Sequence, residues 1–210
     1  MEPANLDEIY RKLPADEIPW NLEEPPGVLV KFVESGKVRP CRAVDLGCGT
    51  GTSAIYLAEK GFDVTGIDSA PTAIRMAREK AERKGVKCSF VVADLLGDLT
   101  GVKGPFEFAF DWELLHHLMP GDRGPYMRNL ASLLEPGAHY LSVCFSEEDP
   151  QFGGTGKIRR TRIGTVLYFS SEAEIRDLLA PYFLVRDLKT IEISGKWGPH
   201  RAICAFSERR

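Results

Sequence analysis

The sequence predicts an α/β fold with a doubly wound, mostly parallel sheet that ends in an antiparallel pair of strands. Three observations predict it. Short apolar runs alternate with amphipathic helical stretches, so helical crossovers join neighbouring strands. The run ending Ala43-Val44 passes straight into glycines at 47, 49 and 51, then into a helical stretch from Ser53 to Lys60. Near the C-terminus, Tyr182 to Ile193 and Arg201 to Phe206 alternate, with Gly195, Trp197, Gly198 and Pro199 between them; two such runs read as an antiparallel pair.

The glycine turn carries the most chemistry. Glycine tolerates positive φ and has no Cβ to hold a ligand off the backbone. The helix start beyond it offers unpaired N–H groups and the positive end of a dipole. Together they form a site for a polar or anionic group lying over bare backbone. The dinucleotide fingerprint, G-x-G-x-x-G, would need its third glycine at position 52, which is Thr52. The pattern here is G-x-G-x-G with an acid before it, Asp45-Leu-Gly-Cys-Gly-Thr-Gly51.

That loop resembles the cofactor loop of the class I S-adenosylmethionine (SAM) methyltransferases. The resemblance runs from about residue 40 to the end. It implies a Rossmann-like sheet of seven strands whose last two are antiparallel. It also implies that the loop wraps the methionine and ribose end of SAM, with Asp45 near the methionine ammonium.

The remaining elements follow in order. Leu6, Ile9, Tyr10 and Leu13 are spaced for a short helix ended by Pro14. Glu17 to Pro26 is too proline-rich for a long helix, and Val28 to Val33 reads as a second short one, closed by Ser35-Gly36. Residues 1–40 thus form a helical and extended segment ahead of a domain at 41–210, placed to cover the cofactor site. Trp20 either covers the pocket or plugs the core edge. An Ile-Pro-Trp-Asn segment resembles that of the thiopurine-type thiol methyltransferases, which favours the cover.

Phe62 to Asp68 is the second strand. Asp68 lies about 20 residues past the loop, where an acid reaches ribose hydroxyls in a βαβ unit. Ser69 is placed as the N-cap and Pro71 in the first turn of a helix running to Lys84, with Gly85 closing it. Val86 to Ala93 is the third strand, ending at Asp94-Leu95. The resemblance gives Asp94 the adenine amino group and Leu95 the face of the ring. A carboxylate suits an amine because it only accepts.

Phe106 to Asp111 is the fourth strand and leads into Trp112 and the pair His116-His117. The resemblance places residues near the reactive methyl here, so Asp111 and His116 are the expected catalytic residues, with Trp112 beside them. Cofactor contacts are expected from Trp20, Asp45, Gly47, Cys48, Gly49, Thr50, Asp68, Ser69, Asp94, Leu95, Asp111, Trp112 and His116. Adjacent helical residues point about 100° apart, so the two histidines share no ligand face, and no metal is expected. His116 is expected to face the pocket.

Gly121 to Leu134 is a helix, stopped by Glu-Pro-Gly137 before a strand from Ala138 to Phe145. The stretch 146–169 lies outside the minimal core, on the substrate side. Its glycines at 153, 154 and 156 suggest mobility. Its basic cluster from Lys157 to Arg162 either holds an anionic substrate or forms the solvated face of a hairpin, which is preferred. Ser171-Glu-Ala-Glu174 is a capping box opening a helix to about Leu179.

Composition sets the limits. A chain of 210 residues builds one core. A net charge of −3 argues against nucleic acid as the main partner. Met1 to Tyr10 carries several acids and no apolar run, unlike a signal peptide, and no stretch is long and apolar enough to span a membrane. Five cysteines without C-x-x-C spacing fit free thiols in a reducing cytoplasm. The expectation is a cytoplasmic monomer or homodimer that moves a methyl group from SAM to a heteroatom of a small molecule, leaving S-adenosylhomocysteine (SAH). Two other readings stay open: a methyltransferase acting on protein or RNA, and a SAM-binding protein without catalysis.

Overall fold

A computed structural model describes residues 5–152 and 156–210. Gly153, Gly154 and Thr155, part of the stretch expected to be mobile, lie outside the described residues, as do residues 1–4. The central sheet has seven strands: β1 (Arg42–Leu46), β2 (Asp63–Asp68), β3 (Ser89–Val92), β4 (Phe106–Trp112), β5 (Leu134–Phe145), β8 (Phe183–Gly195) and β9 (Gly198–Arg209). Their order is β3-β2-β1-β4-β5-β9-β8. The first five are parallel; β9 runs antiparallel to β5 and β8. The chain reverses direction across the sheet between β1 and β4, and ligands of such sheets lie outside the strand ends at that switch.

Strand β1 is buried along nearly its whole length because helices cover both sheet faces. On one face Leu29, Ile55, Leu57, Phe108 and Phe110 pack together; on the other, Leu46, Phe106, Tyr126 and Tyr140. Each such side chain contributes about 1.5–3 kcal/mol of burial. The covering helices are α2 (Gly27–Glu34), α3 (Thr52–Glu59), α4 (Pro71–Lys84), α5 (Pro120–Leu133) and α6 (Glu172–Leu179). The capping box of α6 is present, with Ser171 and Glu174 bonding each other's backbone.

The N-terminal helix α1 (Leu6–Lys12) docks on α4 through Ile9, Tyr10, Ile18, Ala70 and Ala73. The expected N-cap of α4 is displaced. Ala70 occupies that position and has no side chain to give, so Asp7 of α1 accepts the Thr72 N–H at 2.8 Å instead. Ser69 is exposed. A residue 65 positions away thus caps the helix and ties the N-terminal segment to the domain.

Two other boundaries differ from the sequence reading. Strand β3 begins at Ser89 rather than Val86. Strand β5 begins at Leu134, so Glu135-Pro136-Gly137 lies inside it, where the pairing with β4 shifts register. Within the 146–169 stretch, β6 (Ile158–Arg160) and β7 (Val166–Tyr168) form a hairpin. Arg159 staples it, donating to the carbonyls of Glu147, Asp149, Gln151 and Gly156 while lying 4.0 Å over the Phe169 ring.

Candidate active site

Two cavities open at the carboxyl ends of β1, β2 and β4. The first, about 220 Å³, is bounded below by the glycine loop and above by Tyr10, Trp20 and Asn21. The second, about 610 Å³, lies under the β6–β7 hairpin and the β8–β9 turn. They share Trp20, Leu22, Glu113 and His117, so the two spaces meet there.

The loop builds the floor of the first cavity. Gly47, Gly49 and Gly51 all have positive φ. A Cβ added at Gly47 would sit 2.9 Å from Leu114, and one at Gly49 would sit 3.0 Å from the Tyr10 hydroxyl. Asp68 fixes the loop, accepting the Gly49 N–H at 2.9 Å and the Ala70 N–H at 2.8 Å. Burial raises its carboxyl pKa, and those two donors oppose the rise. Asp45 is buried at the cavity wall, and its Oδ2 has no hydrogen-bond partner among the described residues. Burial pushes its carboxyl up to about 8. A buried carboxylate with a spare oxygen calls for a cation.

Most expected residues converge here. Trp20, Asp45, Gly47, Cys48, Gly49, Thr50, Asp68, Ser69, Asp94, Leu95 and Trp112 all line the first cavity. Trp20 is part of the wall: its Nε1 donates to the Tyr10 hydroxyl at 2.8 Å, and its ring meets His117 edge-on at 5.6 Å. Thr50 donates to Asn21 Oδ1 at 2.5 Å, which holds the N-terminal segment against the loop.

Asp111 and His116 lie outside the first cavity. Strand alternation turns Asp111 away from the ligand side and into the core, where the Tyr140 hydroxyl donates to it. It lines neither cavity. His116 is absent from the first cavity; it borders the second, stacked 4.1 Å from Phe145 with Nδ1 accepting the Phe145 N–H. Burial and the neighbouring His117 press its pKa well below the usual value. His117, not His116, stands where the cavities join, and burial lowers its pKa to about 4. Both imidazoles are therefore neutral at physiological pH.

The sequence reading missed three groups. Glu113, one residue beyond β4, has φ 62°, a conformation uncommon for a non-glycine residue. Glu113 lines both cavities, and burial pushes its carboxyl pKa up to about 7. His200 at the start of β9 lines the second cavity, and its Nδ1 lies 3.0 Å from Asp149 Oδ2. The position of Glu113 just past a parallel strand was a usable signal. The His200–Asp149 pair is 51 residues apart, and no local spacing announces it.

Residues 43–137 match the family model described as "Methyltransferase domain". The 2-heptyl-1-hydroxyquinolin-4(1H)-one methyltransferase of Mycobacteroides abscessus is 32% identical over 173 residues, covering 81% of this chain and 70% of that protein. The chain belongs to the class I SAM-dependent methyltransferases. A probable thiol methyltransferase 2 of Arabidopsis thaliana is 28% identical over 66% of this methyltransferase and 62% of its own length. A solved structure from work on converting a disulfide bond into a thioacetal group in echinomycin biosynthesis superposes with TM-score 0.80. It is 25% identical and covers 97% of this chain and 91% of its own. The first cavity fits SAM: the orphaned Asp45 oxygen suits an ammonium, and the bare glycine floor leaves room that any Cβ would fill. Among the described residues no cluster is suited to a metal ion, and no helix is long and apolar enough to cross a membrane.

Proposed function

We propose that this methyltransferase transfers a methyl group from SAM, held in the first cavity, to a heteroatom of a small, flat acceptor held in the second. The observation that carries the reading is the junction of the two cavities at Trp20, Leu22, Glu113 and His117. Asp45 takes the methionine ammonium, Asp68 the ribose hydroxyls and Asp94 the adenine amino group, with Leu95 against the ring. A carboxylate accepts from a diol with two charge-assisted bonds.

The second cavity suits a planar molecule. Phe145, Phe152, Leu167 and Trp197 give it apolar walls, with a few polar groups among them. That balance, and its volume, are those of a small-molecule site. The relative named for a hydroxyquinolinone supports an aromatic acceptor. The one named as a thiol methyltransferase keeps sulfur within the proposal.

SAM supplies a methyl already activated on a sulfonium. What the chain supplies is alignment and exclusion of water, worth about 7–11 kcal/mol when the geometry is right. Trp20 and His117 close the space between the two ligands, and the glycine loop fixes one of them. Residues 1–40 act as the cover and 146–169 as the acceptor side. The five unpaired cysteines support a reducing cytoplasm as the place of action.

The test is transfer from methyl-labelled SAM to a panel of hydroxylated heteroaromatics, aromatic thiols and ring nitrogens, beside bulk RNA and protein. Label in a small aromatic supports the reading. Label only in RNA or protein overturns it.

A further inference from the structure

The second cavity holds a proton-accepting pair that the cofactor site does not need. His200 is buried, and its ring is sandwiched between aromatic neighbours. It lies parallel to Phe152 at 5.3 Å and 4.7 Å from Phe145. Asp149 is buried as well and holds three donors: His200 Nδ1 at 3.0 Å, the Gln151 N–H at 2.7 Å and the Arg201 N–H at 2.7 Å. Burial alone would raise its carboxyl pKa; those bonds outweigh it and keep the group below its ordinary value. An ionised carboxylate at Nδ1 puts the imidazole proton on that nitrogen. The lone pair is then on Nε2. Among the described residues nothing hydrogen-bonds to His200 Nε2, and the ring edge carrying it packs over Gly195. A Cβ there would fall 2.7 Å from Nε2, so only glycine at 195 lets the ring sit in this place.

We propose that His200, oriented by Asp149, is the base that accepts the proton of a hydroxyl-bearing aromatic acceptor during methyl transfer. This rests on the two-cavity reading above. The acceptor O–H bond breaks and its proton goes to Nε2. The oxygen forms a bond to the methyl carbon as the carbon–sulfur bond breaks, and the sulfur keeps that electron pair. Neutral SAH, a methyl ether and an imidazolium result, and the imidazolium returns its proton to water.

The other titratable groups on this cavity are Glu113, His116, His117, Arg160, Arg162 and Lys196. Burial penalises the charged forms of the two neighbouring histidines, and no carboxylate is hydrogen-bonded to either ring among the described residues. Glu113 interacts electrostatically with His200, and ionised it would steady the imidazolium. Asp149 is a positioning residue.

Two measurements test this. In the first, 4-nitrophenol is added to the wild-type protein saturated with SAH, at a pH below the phenol's own pKa. The phenolate band should rise about tenfold or more over free solution, as expected for an acid facing a new opposite charge. In His200→Gln that rise should vanish while SAH affinity stays unchanged. A wild-type spectrum no different from free solution overturns the proposal without needing the variant to fold. In the second, methyl transfer to 2-heptyl-1-hydroxyquinolin-4(1H)-one is compared. The kcat of His200→Gln should fall about 100-fold, with KM nearly unchanged. Asp149→Asn should lose less and shift the pH profile. Full turnover by His200→Gln removes the base and leaves the two-cavity reading standing. Failure of the wild type to bind SAH removes the two-cavity reading itself.

Discussion

Asp68 Oδ2 accepts the backbone N–H of Gly49 at 2.9 Å, so the end of β2 holds the glycine loop that follows β1. The same carboxylate is the group proposed to take the ribose hydroxyls. On that proposal, loop shape and cofactor contact depend on one side chain.

Asp68→Ala removes both. It leaves the Gly49 and Ala70 N–H groups without their acceptor, at about 1–3 kcal/mol. SAH affinity measured by calorimetry should drop about 10- to 100-fold. Unchanged affinity would separate Asp68 from the ribose.

Gly49→Val forces a β-branched residue to φ 52° and drives its Cβ toward the Tyr10 hydroxyl. Backbone strain of this kind costs about 1–3 kcal/mol. SAH binding should be abolished in a protein that still melts cooperatively. Retained binding would mean that the ligand does not lie over the loop.

Asp45 gives a proton-linked prediction. With its carboxyl raised to about 8, the free enzyme carries that proton at neutral pH. An ammonium beside it favours the ionised form, so binding releases the proton. SAH affinity should rise with pH between about 6 and 8. Calorimetry at pH 7 in two buffers of different ionisation enthalpy should show close to one proton released. In Asp45→Asn both effects should disappear. Proton uptake on binding would contradict the assignment.

Glu113 destabilises the empty fold at high pH. Its pKa rises from 4.5 to about 7 because burial penalises the anion. An acid whose folded pKa is raised costs no stability below its unfolded value. The cost grows as pH climbs from 4.5 to 7. Glu113→Gln should leave the melting temperature unchanged near pH 4 and raise it at pH 8. Each kcal/mol recovered is worth about 2–4 °C in a chain of this size. An equal shift at both pH values would show that the carboxyl is not buried as described.

The sheet was legible because its signals are local. The glycine loop, Pro71, Gly85 and the Ser171 capping box each mark a boundary through their own backbone preferences. Most of the residues lining the first cavity were legible for the same reason, since they sit in the glycine loop or at strand ends. Asp111 misled because it is turned into the core, whereas Glu113, two residues on, reaches both cavities only because its left-handed backbone, φ 62°, breaks the strand's alternation. Ser69 misled because the capping of α4 comes from Asp7, on another helix. His200 and Asp149 meet only after β9 inserts beside β5. No periodicity within either segment predicts that meeting.

Calorimetric titration of the wild-type protein with SAH and SAM, beside NAD, tests most directly whether the first cavity is a SAM site. The first two should bind one-to-one and the third not at all. Binding of NAD, or no binding of SAH, would contradict that assignment.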